Sequence, residues 1–134
     1  METTFFDKNG EAVAYIMDDY NNTIFLMDGH PVAYLYEDSN IYGINGRHLG
    51  WLTEDIIFDH DGKRIGFTSH SCPVPIGKEP AKAERYYKDE IRPRWAVPPF
   101  PKLSFDFAAK DFKVFLKEGQ AQSFPEEKSQ QTNP

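Results

Sequence analysis

The first half of the chain pairs short apolar runs in one recurring order. Phe5-Phe6 precedes Val13-Ala14-Tyr15, Ile24-Phe25 precedes Val32-Ala33-Tyr34, Ile41-Tyr42 precedes Leu49-Gly50-Trp51, and Ile57-Phe58 precedes Ile65-Gly66-Phe67. Runs this short, bounded by polar and turn residues, read as strands, with side chains alternating between two faces. Each pair is joined through Asn9-Gly10, Asp28-Gly29, Asn45-Gly46 or Asp61-Gly62, and successive glycines lie 19, 17 and 16 residues apart. Asn or Asp followed by Gly accepts positive φ at least strain, the requirement of a two-residue type I′ hairpin. Four such signals at near-constant spacing predict an internal array of four hairpins.

With Asn9-Gly10 as a two-residue loop, Phe5 faces Ala14 and Phe6 faces Val13. One face then carries Phe6, Val13 and Tyr15, with equivalents Phe25, Val32, Tyr34; Tyr42, Leu49, Trp51; and Phe58, Ile65, Phe67. The other pairs Phe5 with Ala14, Ile24 with Ala33, Ile41 with Gly50 and Ile57 with Gly66. The repeated small residue predicts close backbone approach at a pseudo-four-fold axis. Pro31 predicts a hairpin edge with no donor pointing into the ladder. Lys8 with Glu11 and Asp59 with Arg64 read as exposed cross-strand ion pairs. A lone hairpin is not stable in water, so the four need one another and a cover from later residues.

The fold class predicted is mainly β: residues 1–69 form four tandem hairpins in a pseudo-four-fold radial array. Residues 70–119 form a Pro-rich connector and a short C-terminal α-helix packed on that array, and residues 120–134 a disordered tail. Pro73, Pro75, Pro80, Pro93, Pro98, Pro99 and Pro101 give the connector an extended character. Within it, 81–90 reads as a short helix burying Tyr86, Tyr87 and Ile91, while Trp95 and Phe100 suit plugs for the aromatic face. After Ser104, the spacing of Ala108, Phe112, Phe115 and Leu116, stopped by Gly119, predicts the terminal helix.

These residues together resemble a known family. The runs Phe6-Asp7-Lys8-Asn9-Gly10 to Ile16, Gly29-His30-Pro31-Val32 to Leu35, Gly46-Arg47-His48-Leu49-Gly50-Trp51 and Phe58-Asp59-His60-Asp61-Gly62 to Phe67 are similar to the four-fold β-flower domain. That bacterial family has four radially arranged hairpins, a proline-rich stretch, then a Ser-aromatic segment and a helix. The resemblance implies a fold and no catalytic residues. Single copies also resemble the Tyr-Asp repeats of toxin-shell proteins, although the second and third lack that Asp.

Charge narrows the possible roles. With 21 acids against 15 bases the net charge is −6, the wrong sign for binding phosphate backbones. The links between hairpins hold Asp18, Asp19, Glu37, Asp38, Glu54 and Asp55 without Lys or Arg: an acidic collar suited to solubility, to a basic partner or to a weak cation site. The N-terminus has neither a basic n-region nor an apolar h-region, and no run has membrane-spanning length. The default is a cytoplasmic protein with no membrane and no nucleic-acid partner. Cys72 stands alone, which excludes an internal disulfide and reads as an inert thiol.

Chemistry is thin in this sequence. Asp59-His60-Asp61 mixes carboxylates and imidazole, yet strand neighbours point apart and Asp61 belongs to the turn, so no metal or other cofactor is expected. His30 and His48 read as exposed polar residues near the tips. No catalytic set emerges. The reading is a non-catalytic protein–protein interaction or structural module whose partner is another protein or a second copy. One alternative is binding of a small ligand such as a carbohydrate through Tyr15, Tyr34, Trp51 and Phe67, which requires exposed rings. A further alternative is a metal-dependent hydrolase built on His60.

Overall fold

The computed structural model describes residues 2–121. Eight strands run antiparallel in chain order and close on themselves: β1 (Thr3–Phe6), β2 (Ala12–Ile16), β3 (Thr23–Leu26), β4 (Pro31–Tyr36), β5 (Asn40–Gly43), β6 (His48–Thr53), β7 (Ile56–Phe58) and β8 (Arg64–Phe67). Phe6 opposite Phe67 closes the ring. The predicted pairs Phe5–Ala14, Ile24–Ala33, Ile41–Gly50 and Ile57–Gly66 are all formed.

The four hairpin turns differ from the expected type. Asn9, Asp28, Asn45 and Asp61 have ordinary φ, whereas Gly10, Gly29, Gly46 and Gly62 have φ of +82°, +96°, +95° and +79°. Gly10 N–H donates to Asp7 O at 3.0 Å and Asp7 N–H to Glu11 O at 2.9 Å; the other three tips repeat this pair of bonds. Each is therefore a three-residue loop with a bulging glycine in the left-handed region. Asp7 Oδ1 and Asp59 Oδ1 brace their turns by accepting from the amides two and four residues on.

The extra residue corrects the faces. Phe6 now opposes Ala12, and Val13 drops out of register, as do Val32, Leu49 and Ile65 in the other copies. Those four turn inward and join Phe5, Ala14, Ile24, Ile41 and Ile57 in the central cluster. The outer face keeps Phe6, Tyr15, Phe25, Tyr34, Tyr42, Trp51, Phe58 and Phe67, all buried.

What buries them is a strap, residues 69–107, that circles the hairpin tips. It contains no helix; the helix expected at 81–90 is absent and Tyr87 is fully exposed at 100%. The reason is where its backbone bonds go. The amides of Gly77, Tyr86, Trp95 and Ser104, each nine positions after the last, donate to the carbonyls of Gly10, Gly29, Gly46 and Gly62 at 2.8 to 3.0 Å. A helix would consume those donors internally. Two residues before each, the carbonyls of Pro75, Glu84, Pro93 and Lys102 lie so close to the four tip glycines that a Cβ there would stand 2.1 to 2.4 Å away. The strap thus has its own nine-residue period, matched tip for tip to the flower.

Strap side chains finish the outer layer. Arg94 lies 3.7 Å above the Tyr36 ring and donates from Nη1 to Tyr34 Oη at 3.2 Å. Nine residues earlier Arg85 lies over Phe25 at 5.7 Å. Tyr15 Oη has no hydrogen bond of good geometry, although Arg85 faces it and has its pKa raised first by Tyr15. Ile91 packs on the Tyr34, Tyr42 and Ile44 cluster. Phe100 meets the Trp51 ring edge at 5.1 Å, and Trp95 contributes its carbonyl to the Tyr42 hydroxyl at 2.7 Å. The expected ion pairs give way to the strap: Arg64 Nε donates to Phe105 O at 3.0 Å and stacks on Phe107, while Lys8 lies over the same ring. The backbone N–H of Arg64 points out of the ladder to Asp106 O at 2.9 Å. Pro31 occupies the equivalent place in the second hairpin, which is why a proline fits there.

α1 (Phe112–Lys117) starts at Asp111, whose carboxylate caps Val114 N–H, and not at Ser104. Its Phe112, Phe115 and Leu116 enter the central cluster. A Cβ on Gly66 would stand 2.5 Å from the Phe112 ring, and one on Gly50 3.2 Å from Phe115. The small residues near the axis make room for these rings as well as for the facing backbones. Of the expected tail, residues 122–134 lie outside the described part of the chain.

Candidate functional site

Two places gather polar chemistry or exposed rings. The first is the junction of the third and fourth tips. The third-copy bulge turns His48 onto the outer face, where it is 5% exposed, not a surface residue as the sequence suggested. Its ring is enclosed by Tyr42, Trp51 and His60. His48 Nδ1 lies 3.0 Å from His60 Nε2, and His48 Nε2 lies 3.0 Å from Asn40 Oδ1. The pattern that satisfies all three has His48 donating from Nε2–H to Asn40 and accepting at Nδ1 from His60. Burial first, and the neighbouring His60 second, lower the His48 pKa to about 4, so this imidazole is neutral at physiological pH.

The pair forms one wall of an open basin of about 510 Å³ whose rim sets Arg47, Lys63 and Lys110 against Asp59, Asp61 and Glu118. Lys110 is already bonded to Glu118, and Asp59 Oδ1 is held by its own turn. Among the described residues no group of three or more His, Cys, Asp or Glu side chains is placed to hold a metal ion. His60 therefore meets another histidine and is not flanked by converging carboxylates. No hydroxyl or thiol nucleophile lines the basin; Cys72 is half-buried elsewhere, its Sγ 3.6 Å from Asp7 O.

The four aromatic candidates are placed together in one sense only: they occupy equivalent positions. Tyr15, Tyr34, Trp51 and Phe67 are 0, 2, 4 and 0% exposed beneath the strap. The exposed platforms that the carbohydrate reading required are not there, because the strap covers those rings.

The rings that do face solvent are on the strap itself, the second place. Tyr87 is 100% exposed, Phe105 86%, Trp95 59% and Phe100 57%. Sequence reasoning assigned Tyr87 to a buried helix and Trp95 and Phe100 to plugs. The signal that could have placed them was the Arg-aromatic pair repeated at Arg85-Tyr86 and Arg94-Trp95.

The collar residues lie where expected, in the three links between hairpins, and all six are exposed. Two of the links bend through positive φ at acidic residues: Glu37 and Asp38 (51° and 67°), and Glu54 and Asp55 (51° and 69°). Asp19 accepts a hydrogen bond from Thr23 N–H at 2.8 Å. Burial alone would raise its carboxyl, but hydrogen bonds from Thr23 and the charge of Lys88 outweigh that and hold its pKa low.

These features define a class: a closed flower of four hairpins, bound by a strap that touches every tip, with a helix in its centre. The family model described as 4-fold beta flower protein matches residues 3–116, and the chain belongs to that family, which is not a known enzyme family. No curated protein and no solved structure matches the chain. No helix among the described residues is long and apolar enough to cross a membrane.

Proposed function

We propose that this protein is a non-catalytic module that binds another protein. One observation carries the reading: a filled core coexists with large exposed rings on the strap, Tyr87, Phe105, Trp95 and Phe100. Aromatic side chains could have been buried in a chain that buries so many others. Left outside in number, they suit the centre of a protein interface, where Tyr, Trp and Phe are enriched. The polar groups with reactive potential support the same view, since His48 is committed to Asn40 and His60.

The test compares the full chain with a Tyr87→Ser/Phe105→Ser variant in affinity capture from the source cells, alongside sedimentation of both. The variant should keep its melting temperature within a few degrees and lose the captured partner, or lose self-association if the partner is a second copy. A wild type that sediments as a monomer and captures nothing more than the variant does would overturn the reading.

A further inference from the structure

The flower has two ends, and the described residues close only one of them. At the tip end the backbone of Gly119 abuts Gly43, Asn45 Nδ2 donates to Glu118 O at 2.8 Å, and Phe112 lies over Gly66. α1 therefore fills that mouth. At the link end the inward-facing side chains beyond the core are Ile16, Leu35 and Leu52, one from each of the first three hairpins. All three pack on the central cluster yet are partly exposed. Thr68 holds the fourth equivalent place; its amide bonds to Asp55 O at 3.3 Å, as those of Leu35 and Leu52 bond to Asn22 O and Ser39 O. The links that follow Ile16, Leu35 and Leu52 carry the exposed carboxylates of the collar on three of the four sides.

We propose that the link-end mouth docks a basic, apolar-centred segment of another protein: a leucine-like knob over Ile16, Leu35 and Leu52, flanked by Lys or Arg that meet Glu37, Asp38, Glu54 and Asp55. The inference rests on the interaction-module reading and adds to it the partner's chemistry and a second surface. Charge complementarity selects the occupant. A second copy set mouth to mouth would bring two acidic collars together, and like charges across an interface repel. Nucleic acids and anionic bilayers carry the wrong sign. The chain's own C-terminal residues 122–134 continue from Ala121, which packs beside Ile44 at the tip end, and they carry Glu126 and Glu127 against a single Lys128. An apolar centre with a carboxylate rim remains, and a cationic amphipathic segment matches both parts.

The probe is a fluorescent peptide of leucine and lysine with leucines at helical spacing, titrated against the full chain by anisotropy. Its counterpart carries Glu for every Lys. The cationic peptide should bind at low salt, weaken as salt rises, and lose at least tenfold in affinity to Glu37→Lys/Glu54→Lys. Leu52→Gln should weaken it as well, with melting curves checking that each variant is folded. The anionic peptide should not bind. Equal affinity for wild type and the charge-reversed variant, or no binding of the cationic peptide, would refute the mouth. Loss of peptide binding in Tyr87→Ser/Phe105→Ser with full retention in Glu37→Lys/Glu54→Lys would also refute it, while leaving the interaction-module reading in place on the strap.

Discussion

A Cβ added to Gly46 would stand 2.2 Å from the carbonyl oxygen of Pro93. Gly46 therefore meets two requirements at once: φ of +95° to close its own hairpin, and a bare Cα so that the strap can approach. Gly46→Ala incurs left-handed strain and displaces the strap, at a cost of about 2–3 kcal/mol or more. The companion substitution is Gly77→Ala. Its Cβ would sit 3.6 Å from Gly10 O, an ordinary contact, and its φ is not in the left-handed region, so a change under about 0.5 kcal/mol follows. Urea denaturation of both variants checks the pair. Equal stability of the two would mean that the strap does not bind the tips as described.

The type I′ geometry that the sequence predicts at the tips is found in the link between the third and fourth hairpins. Thr53 opposes Ile56, so Glu54-Asp55 is a two-residue loop with positive φ at both positions. Asn-Gly is the preferred pair for that turn. Glu54→Asn/Asp55→Gly relieves the strain while keeping the Asp55 carbonyl that accepts from Thr68 and Ser71. A gain of about 0.5–1 kcal/mol should appear as a higher melting temperature. No gain, or a loss, would show that the acidic side chains themselves stabilise the links.

The pairing register was legible because Phe5–Ala14 and its three counterparts lie on the non-bulged side of each hairpin, where alternation alone decides the face. The residues after the bulge were not. A β-bulge leaves Val13, Val32, Leu49 and Ile65 unpaired in the ladder and turns them to the opposite face, and no property of those side chains announces it, since an apolar residue suits either layer. The buried state of His48 follows from the same shift. The strap was illegible for another reason. Its period lies in backbone amides and carbonyls at nine-residue intervals, and these make few demands on side chains; Arg85 and Arg94 are the clearest trace of it. The collar could be read directly, because links between antiparallel strands are exposed whatever the bulges do.

Arg94 tests whether the strap side chains hold the outer layer or merely lie on it. Its guanidinium covers Tyr36 and reaches the Tyr34 hydroxyl. Lysine keeps the charge but loses the planar stack and the fork of donors. Arg94→Lys should cost about 0.5–1 kcal/mol, the range for a solvent-exposed cation–π contact. A double-mutant cycle with Tyr36→Leu should show coupling of similar size. Additive effects would leave Arg94 as a surface residue with no part in the clasp.

His48 sets an acid limit on stability. Its pKa falls from 6.5 to about 4 on folding, so as pH drops the unfolded chain takes up the proton first. The stabilising preference for a neutral imidazole is complete above about pH 6.5, declines from there to about pH 4, and is lost below. A shift of that size corresponds to about 3 kcal/mol at most. Asp19 and Asp28 act in a lower window. For Asp28, as for Asp19, burial opposes the shift, while hydrogen bonds and charge, here chiefly from His30, hold the pKa below 3.8. Their contribution is therefore present above that value and lost beneath it. The interval between pH 7.5 and 4.5 lies above the window of Asp19 and Asp28, and within it the difference between wild type and a His48 variant reads this histidine. His48→Gln, which keeps a donor for Asn40, should lower stability at pH 7.5 and flatten the decline toward pH 4.5. A variant whose pH dependence matches the wild type over that interval would place the titrating group elsewhere.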